Sequence, residues 1–190
     1  MREKIDEVTF VIPTNRDTLR TPDSIPPEYK VIVERDYECS ENKTRNRGIR
    51  KVETGFVALC DDDIAFDSDF LKKCLSLRCE RVIVGLADYH PLRWVISRFM
   101  LFARSDWEEV GGFDESVRHG ADTDFCIRAE KLGIRTIRVP RDSVQHIEHE
   151  KPYFHRQHIR WLWYLWRRHP RQITVPAFKL VFSKMTGITI

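Results

Sequence analysis

The sequence predicts an α/β fold with a largely parallel sheet. Three observations carry this. Short apolar runs recur at Val8–Pro13, Tyr29–Val33, Phe56–Cys60, Arg81–Gly85 and Ile134–Val139, each with the length of a strand. Stretches of helical composition lie between them, at Asn42–Lys51, Ser68–Leu77 and Asp122–Leu132. The chain has 190 residues, 42% hydrophobic and 11% aromatic, which suits one globular unit with a substantial core and excludes a disordered chain.

Taken in order, Val8–Pro13 is a first strand that its proline stops. Thr14-Asn15-Arg16-Asp17 follows at its carboxyl end. Thr21 to Pro27 is proline-rich and reads as loop. The second strand, Tyr29–Val33, ends at Glu34-Arg35-Asp36. The helix over Asn42–Lys51 has a basic face of Lys43, Arg45, Arg47, Arg50 and Lys51. After the third strand, Ser68-Asp69 is placed to cap a helix reaching about Leu77. Arg93–Ala103 is mostly apolar and is compatible with strand or helix. Ser105–Val110 reads as a capped helical turn ended by Gly111-Gly112. Asp122–Leu132 is a helix with Gly133 at its C-cap, and Ile134–Val139 is a strand before Pro140.

The third strand and its sequel, Phe56-Val57-Ala58-Leu59-Cys60-Asp61-Asp62-Asp63-Ile64-Ala65-Phe66, organise the rest. A buried strand ends abruptly in three consecutive carboxylates. Adjacent acids repel, and they stay at a strand end only with a compensating charge. A divalent cation carrying phosphate is the simplest compensation, because hard carboxylate oxygens suit Mg2+ or Mn2+. A solvated acidic turn is the plain alternative. Asp122 and Asp124 form a second acidic site at a helix start. One of them as an N-cap accounts for one aspartate; a general base facing the metal site accounts for the other. His146, just after the last strand, reads as a metal ligand or as a surface histidine.

The remaining composition narrows the setting. The five cysteines are odd in number and include no CxxC pair, so reduced thiols in a cytoplasmic protein are expected, acting as small buried hydrophobes. No signal peptide is visible and no run of 18 apolar residues occurs, which excludes a membrane span. The net charge of +3 hides an asymmetry: after Glu150 there are eight Lys/Arg and no acid, leaving residues 1–150 acidic. Two regions are expected, an acidic body over 1–150 and a basic aromatic tail over 151–190. In the tail, Arg156, Arg160 and Arg167 fall within about 40° of one another on a helix. Ile159, Trp161, Leu162, Leu165 and Trp166 take the other side, and Pro170 ends the helix. This is the pattern of an interfacial helix that makes peripheral membrane contact, or of a helix packed on the body. Without a nucleic-acid motif, and with an acidic body, no nucleic-acid partner is expected.

The ordered set of short motifs resembles the family 2 glycosyltransferases, which have the GT-A (Rossmann-like) fold. The motifs are Val11-Ile12-Pro13-Thr14, Arg45-Asn46-Arg47-Gly48, Asp61-Asp62-Asp63, Gly111-Gly112-Phe113-Asp114-Glu115, Gly120-Ala121-Asp122-Thr123-Asp124, Arg128 with Gly133, and Val144-Gln145-His146. They keep their order over residues 8–150. The resemblance implies a mixed, mostly parallel sheet flanked by helices, and a metal-dependent, inverting, hexosyltransferase-like enzyme. Such an enzyme moves a sugar from a nucleotide-sugar donor to a hydroxyl acceptor, a glycan or a lipid-linked one. Carried residue by residue, Asp61 and Asp63 match the outer acids of a DxD motif, with Asp63 on Mn2+ or Mg2+ and Asp61 on the ribose or the metal. His146 completes the metal site. Pro13, Thr14, Asn15 and Arg16 line the nucleotide pocket with Asp62, and Arg45 and Asn46 lie beside the diphosphate. Asp122 is the expected general base, with Asp124 sharing the acidic role. Gly112, Phe113 and Asp114 belong to the acceptor side.

The chemistry is consistent with those roles. Charge builds on the leaving diphosphate as the glycosidic bond breaks, and a cation with Arg45 can stabilise it. The acceptor hydroxyl must lose a proton on the opposite face. The sequence also departs from the family. Glu34-Arg35-Asp36-Tyr37 replaces its usual acidic turn, so the base-binding acid is Glu34 or Asp36. Ala121 stands where the family has a glutamate. These departures keep a degenerate nucleotide- or lipid-binding module in view. A nucleotidyltransferase would carry a glycine-rich loop after the first strand, and Pro13-Thr14-Asn15-Arg16 has none.

Overall fold

The computed structural model describes residues 7–37, 40–88, 91–117, 119–146 and 155–186. Six strands form the main sheet: β1 (Val8–Thr14), β2 (Lys30–Arg35), β3 (Phe56–Cys60), β5 (Val82–Ala87), β6 (Val95–Ala103) and β7 (Arg135–Val139), in the order β2-β1-β3-β6-β5-β7. β1 runs parallel to β2 and β3, and β5 runs parallel to β7. β6 alone is antiparallel, to β3 on one side and β5 on the other. The expected mixed, mostly parallel sheet is present.

Within Arg93–Ala103, the residues Val95–Ala103 form a strand. Its ambiguity has a physical reason. β6 is central and buried on both faces: Met100 and Phe102 join one core, Phe99 and Leu101 the other. A strand covered on both sides shows no polar alternation.

Helices cover both faces. α1 (Glu41–Arg50), α3 (Arg104–Val110) and α4 (Ala121–Lys131) pack on the face holding Val11, Val57 and Leu59. α2 (Ser68–Ser76) covers the face holding Phe10, Ile12 and Ala58. Successive residues of β1 and β3 thus feed opposite cores, as the two-residue period of a strand requires. Two further strands, β4 (Ile64–Ala65) and β8 (Gln145–His146), pair antiparallel as a small second sheet.

Local chemistry corrects several expected boundaries. β1 does not stop at Pro13 but continues to Thr14, with Pro13 paired to Glu34 of β2. β3 pairs with β1 only as far as Val11, so a missing N–H at Pro13 deprives no neighbour on that side. The α2 cap is Asp67, whose side chain accepts from the Phe70 amide at 2.8 Å, and not Ser68. α3 has no side-chain cap; Asp106 instead accepts from the Arg81 amide at 2.8 Å. Gly111, at φ 85, closes α3 as expected. Neither Asp122 nor Asp124 caps α4, because Gly120 is the N-cap. Cys60, Cys74 and Cys126 are buried free thiols, whereas Cys79 is exposed.

The tail forms two helices, α5 (His155–Arg168) and α6 (Pro170–Thr186). α6 was not foreseen, since Pro170 reads as a stop; proline at the first helical position starts a helix equally well. Leu165 and Ile173 are fully buried in the core that α4 helps form. The tail thus packs on the body through part of its surface. The boundary expected at residue 150 lies outside the described residues. No described helix is long and apolar enough to cross a membrane.

Candidate active site

Parallel strands present their carboxyl ends at one edge, and α/β sheets bind ligands there. At that edge β1 ends in Thr14, β2 leads to Asp36 and β3 leads to Asp61. A cleft opens between them, lined by Pro13, Thr14, Asn15, Arg16, Asp36, Glu41, Thr44, Asp61, Asp62 and Asp63.

The three aspartates have separate environments. Asp62 is turned inward and buried. It accepts from the Thr14 hydroxyl and, at 3.3 Å, from Arg16 Nη1. Arg16 Nη1 also reaches Asp63 Oδ2 at 3.2 Å. Asp63 Oδ1 lies 3.4 Å from His146 Nε2. This contact exists because Ile64, next to Asp63, is the β4 partner of His146 in β8. Asp61 faces the other way, toward Arg45 Nη2 at 3.3 Å. Burial, together with the charges of Glu41 and Asp63, pushes the Asp61 carboxyl up to about 6, against the pull of Arg45.

Arg45 is buried at the centre of this arrangement. Nη1 donates to Asn42 Oδ1 at 3.0 Å, and Nη2 also pairs with Glu41. Burial works against its charge, but Glu41, Asp61 and Asp122 outweigh that and raise its pKa. One guanidinium thus lies in the field of both the cleft carboxylates and the second acidic site. Its Nε is a buried donor without a hydrogen-bond partner among the described residues.

Asp122 and Asp124, two residues apart at the start of α4, point to opposite sides of the helix and meet different partners. Asp122 is half-buried and accepts from the Ser97 amide and hydroxyl at 3.3 and 3.4 Å, and from the Thr123 amide at 3.0 Å. Asp124 is fully buried. Arg128 Nε at 2.8 Å and His169 Nε2 at 2.8 Å hold it. Its contacts tie α4 to the segment between α5 and α6.

The other expected residues divide in the same way. Asp36 lines the cleft, and its amide donates to the Thr14 carbonyl at 2.9 Å. Glu34 is not a lining residue; it is buried beneath Arg47 and Lys51, the latter at 2.5 Å. Burial pushes the Glu34 carboxyl up, but these two cations outweigh it and hold it below its ordinary value. Asn46 faces away from the cleft. Its Oδ1 accepts from the Phe113 amide at 2.9 Å and its Nδ2 donates to the Phe113 carbonyl at 2.8 Å. Phe113 is a core residue stacked on Phe125 at 4.6 Å. The Gly112 carbonyl accepts from Arg128 Nη2 at 2.7 Å. Asp114 accepts from Tyr164 Oη at 2.9 Å and pairs with Arg168, so it anchors α5. Ala121 is buried in the core.

Sequence reasoning missed three residues of the site. Glu41 and Thr44 line the cleft from the first turn of α1; their spacing of three from one another was the available signal. Thr21, fully buried, donates to the Asp61 carbonyl at 2.6 Å and accepts from the Ile64 amide at 3.2 Å. It holds the aspartate turn from outside, and nothing local in its proline-rich stretch reveals that.

No family model matches the sequence, and no curated protein matches it by sequence. Solved structures do match its shape. A mannosyltransferase of Pyrobaculum calidifontis in complex with GDP-Man and Mn2+ superposes with a TM-score of 0.61 at 18% identity, covering 84% of this chain and 61% of that one. The catalytic domain of Drosophila β1,4-galactosyltransferase 7, in complex with xylobiose, gives 0.59 at 13% identity, over 80% of this chain and 78% of that one. TarS of S. aureus gives 0.51 at 13% identity, over 70% of this chain and 35% of its own. The chain has the GT-A fold. It spans 61% of the mannosyltransferase's length, so the likeness concerns the GT-A core and not the whole of that protein.

Within the GT-A fold, the residues at the cleft bear on a divalent metal. Among the described residues no group of three or more His, Cys, Asp or Glu is gathered to hold one. That does not count against the fit. A nucleotide-bound Mg2+ or Mn2+ uses one or two carboxylates, with substrate phosphates and waters completing the shell. Asp63 and His146, one hard oxygen and one imidazole already 3.4 Å apart, supply such a partial set.

Proposed function

We propose that this chain is a metal-dependent glycosyltransferase, best read as a family 2 member, that moves a sugar from a nucleoside-diphosphate donor to a hydroxyl acceptor with inversion. The single observation that carries the reading is the approach of His146 to Asp63, at 3.4 Å, beside a cleft at the strand carboxyl ends that Asp61 and Asp63 both line. The likeness to GT-A structures crystallised with GDP-Man and Mn2+, and with manganese and UDP-Gal, supports it.

In this reading Asp36, Thr14 and Asn15 take the nucleoside half of the donor, with Asp36 rather than Glu34 on the cleft side. Asp63 and His146 would hold the metal, and the bound cation would offset charge on the leaving diphosphate. Arg16, which lines the cleft, and Arg45, buried behind Asp61, bring fixed positive charge to the same edge. Asp122 takes the proton from the acceptor hydroxyl. Its two bonds from Ser97 fix the carboxylate, so one oxygen is oriented before the acceptor arrives. Asp124 is a positioning residue that locks α4 through Arg128 and His169. One base acting opposite the leaving group gives inversion at the anomeric carbon.

Ala121 favours a second reading. It puts a buried methyl where the resembled family has an acid, as a binding module that has lost catalysis would. Incubation with Mn2+, a panel of UDP-, GDP-, CDP- and dTDP-sugars and simple glycoside acceptors separates the two. The enzyme reading expects release of free nucleotide with an inverted glycosidic product. Asp122→Asn should lower transfer by roughly 100-fold or more while donor binding survives, since general base catalysis contributes about 10²–10⁴-fold. Normal transfer by Asp122→Asn would remove that residue from its role; no turnover of any donor that binds would favour the module.

A further inference from the structure

Among the described side chains, the α5–α6 hairpin meets the body through Trp161, Leu162, Tyr164, Leu165, Ile173 and Ala177. A further part of its surface is aromatic and apolar. Trp163 is 57% exposed, Trp166 40%, Val175 60%, Phe178 67% and Val181 49%. These residues form one continuous surface. Trp163 and Trp166 stack at 5.3 Å. Trp166 Nε1 donates to Thr174 Oγ1 at 3.1 Å, which joins the aromatic pair of α5 to α6. On α6, Thr174, Phe178 and Val181 recur at the spacing of one helix face. The stack of Phe178 on Phe182, at 6.2 Å, extends it.

Charge overlies the same surface. Arg160, Trp163 and Arg167 are spaced three and four apart, so they share a face of α5, and all three are exposed. A tryptophan thus sits inside the arginine stripe. Arg168 and Arg171 are exposed at the turn of the hairpin. No acid follows Glu150, while eight Lys/Arg do.

We infer that this face docks on an anionic lipid bilayer. Exposed contiguous apolar surface of this kind marks an interaction site. Tryptophans favour the headgroup level of a membrane, and Lys/Arg near the surface are attracted by anionic lipid. Neither helix is long and apolar enough to cross, so the hairpin lies in the interface plane. Charge decides the occupant. A second copy of this chain would set one all-cationic tail against another, whereas an anionic leaflet complements it. The inference does not depend on the transfer reaction. If both hold, the hydroxyl acceptors within reach are those carried at a membrane surface.

The test is co-sedimentation of the full chain with vesicles of phosphatidylcholine alone, and of phosphatidylcholine mixed with phosphatidylglycerol, at low and high salt. Binding is expected on the mixed vesicles only, with a blue shift of tryptophan emission, and it should fall as salt rises. Trp163→Ser with Phe178→Ser should weaken binding about tenfold or more, because both side chains would lose their insertion into the interface. Both are exposed, so the melting curve should be kept. Arg160→Glu with Arg167→Glu should abolish the preference for anionic lipid. The inference is overturned by absence of binding to mixed vesicles, by equal binding to neutral ones, by double variants that bind like the wild type, or by a dimer that buries the patch in place of vesicle binding.

Discussion

His146 Nε2 lies 3.4 Å from Asp63 Oδ1, although Asp63 follows the third strand and His146 belongs to the last. The two-stranded β4–β8 pairing creates the contact, because Ile64 and His146 are register partners. That pairing converts a strand-end carboxylate and a late histidine into one site.

If the pair holds a metal with the donor, His146→Ala should weaken Mn2+-dependent donor binding by about tenfold or more, the scale on which even supporting residues of metal sites act. Isothermal titration with a nucleoside diphosphate, with and without Mn2+, reads this. Metal-free binding should be unchanged, because the lining residues of the nucleoside half do not include His146. An unchanged Mn2+ effect would remove His146 from the site.

Gly48 tests how closely α1 lies on the sheet. A Cβ there would sit 2.6 Å from Val11 Cγ1 and 3.2 Å from Glu34 Cβ. Helix propensity alone would make Gly48→Ala stabilising by about 1 kcal/mol. Overpacking a tight core contact costs about 1–3 kcal/mol and should win. A lower melting temperature for Gly48→Ala is the expected result; a higher one would mean that α1 stands off from β1.

Asp114 should set part of the acid sensitivity. Burial raises its carboxyl, but bonds from Ser116 and Tyr164 and the charge of Arg168 outweigh that and bring it down to about 2. The folded value lies below the ordinary 3.8, so the contribution to stability is complete above about pH 4 and is lost as pH falls toward 2. By linkage the full shift corresponds to about 2 kcal/mol, which solvent screening around the exposed Arg168 reduces to roughly 1 kcal/mol. Urea unfolding of Asp114→Asn should show that much less stability at neutral pH and a correspondingly shallower loss between pH 4 and 2. An unchanged acid slope would contradict the anchoring of α5 through this residue.

The sheet was largely legible because its buried strands are apolar runs bounded by turn residues, and because Asp61-Asp62-Asp63 marks a strand end. The central, doubly covered β6 was not, since burial on both faces erases alternation. The place of Asp61 and Asp63 at a strand end and in the cleft could be read from residue type and position. Division of labour could not: Glu34 and Asp36 are two residues apart in sequence, yet only the structure puts one under Arg47 and Lys51 and the other in the cleft. Asn46 and Asp124 carry polar groups that long-range partners claim, Phe113 and His169, and no local pattern announces such partners. The tail read as amphipathic with one apolar side. It has two, because Leu165 turns to the body and Trp163 stands among the arginines.

The most direct test of the central claim is a thermal-shift screen of UDP-, GDP-, CDP- and dTDP-sugars with and without Mn2+, on the wild type and on Asp63→Ala. Ligands that bind the native state raise its melting temperature by mass action. The account predicts a shift with one nucleotide class that requires Mn2+ and disappears in Asp63→Ala, while the unliganded melting temperatures stay close. A donor shift that is independent of Mn2+, or that Asp63→Ala retains in full, would contradict it.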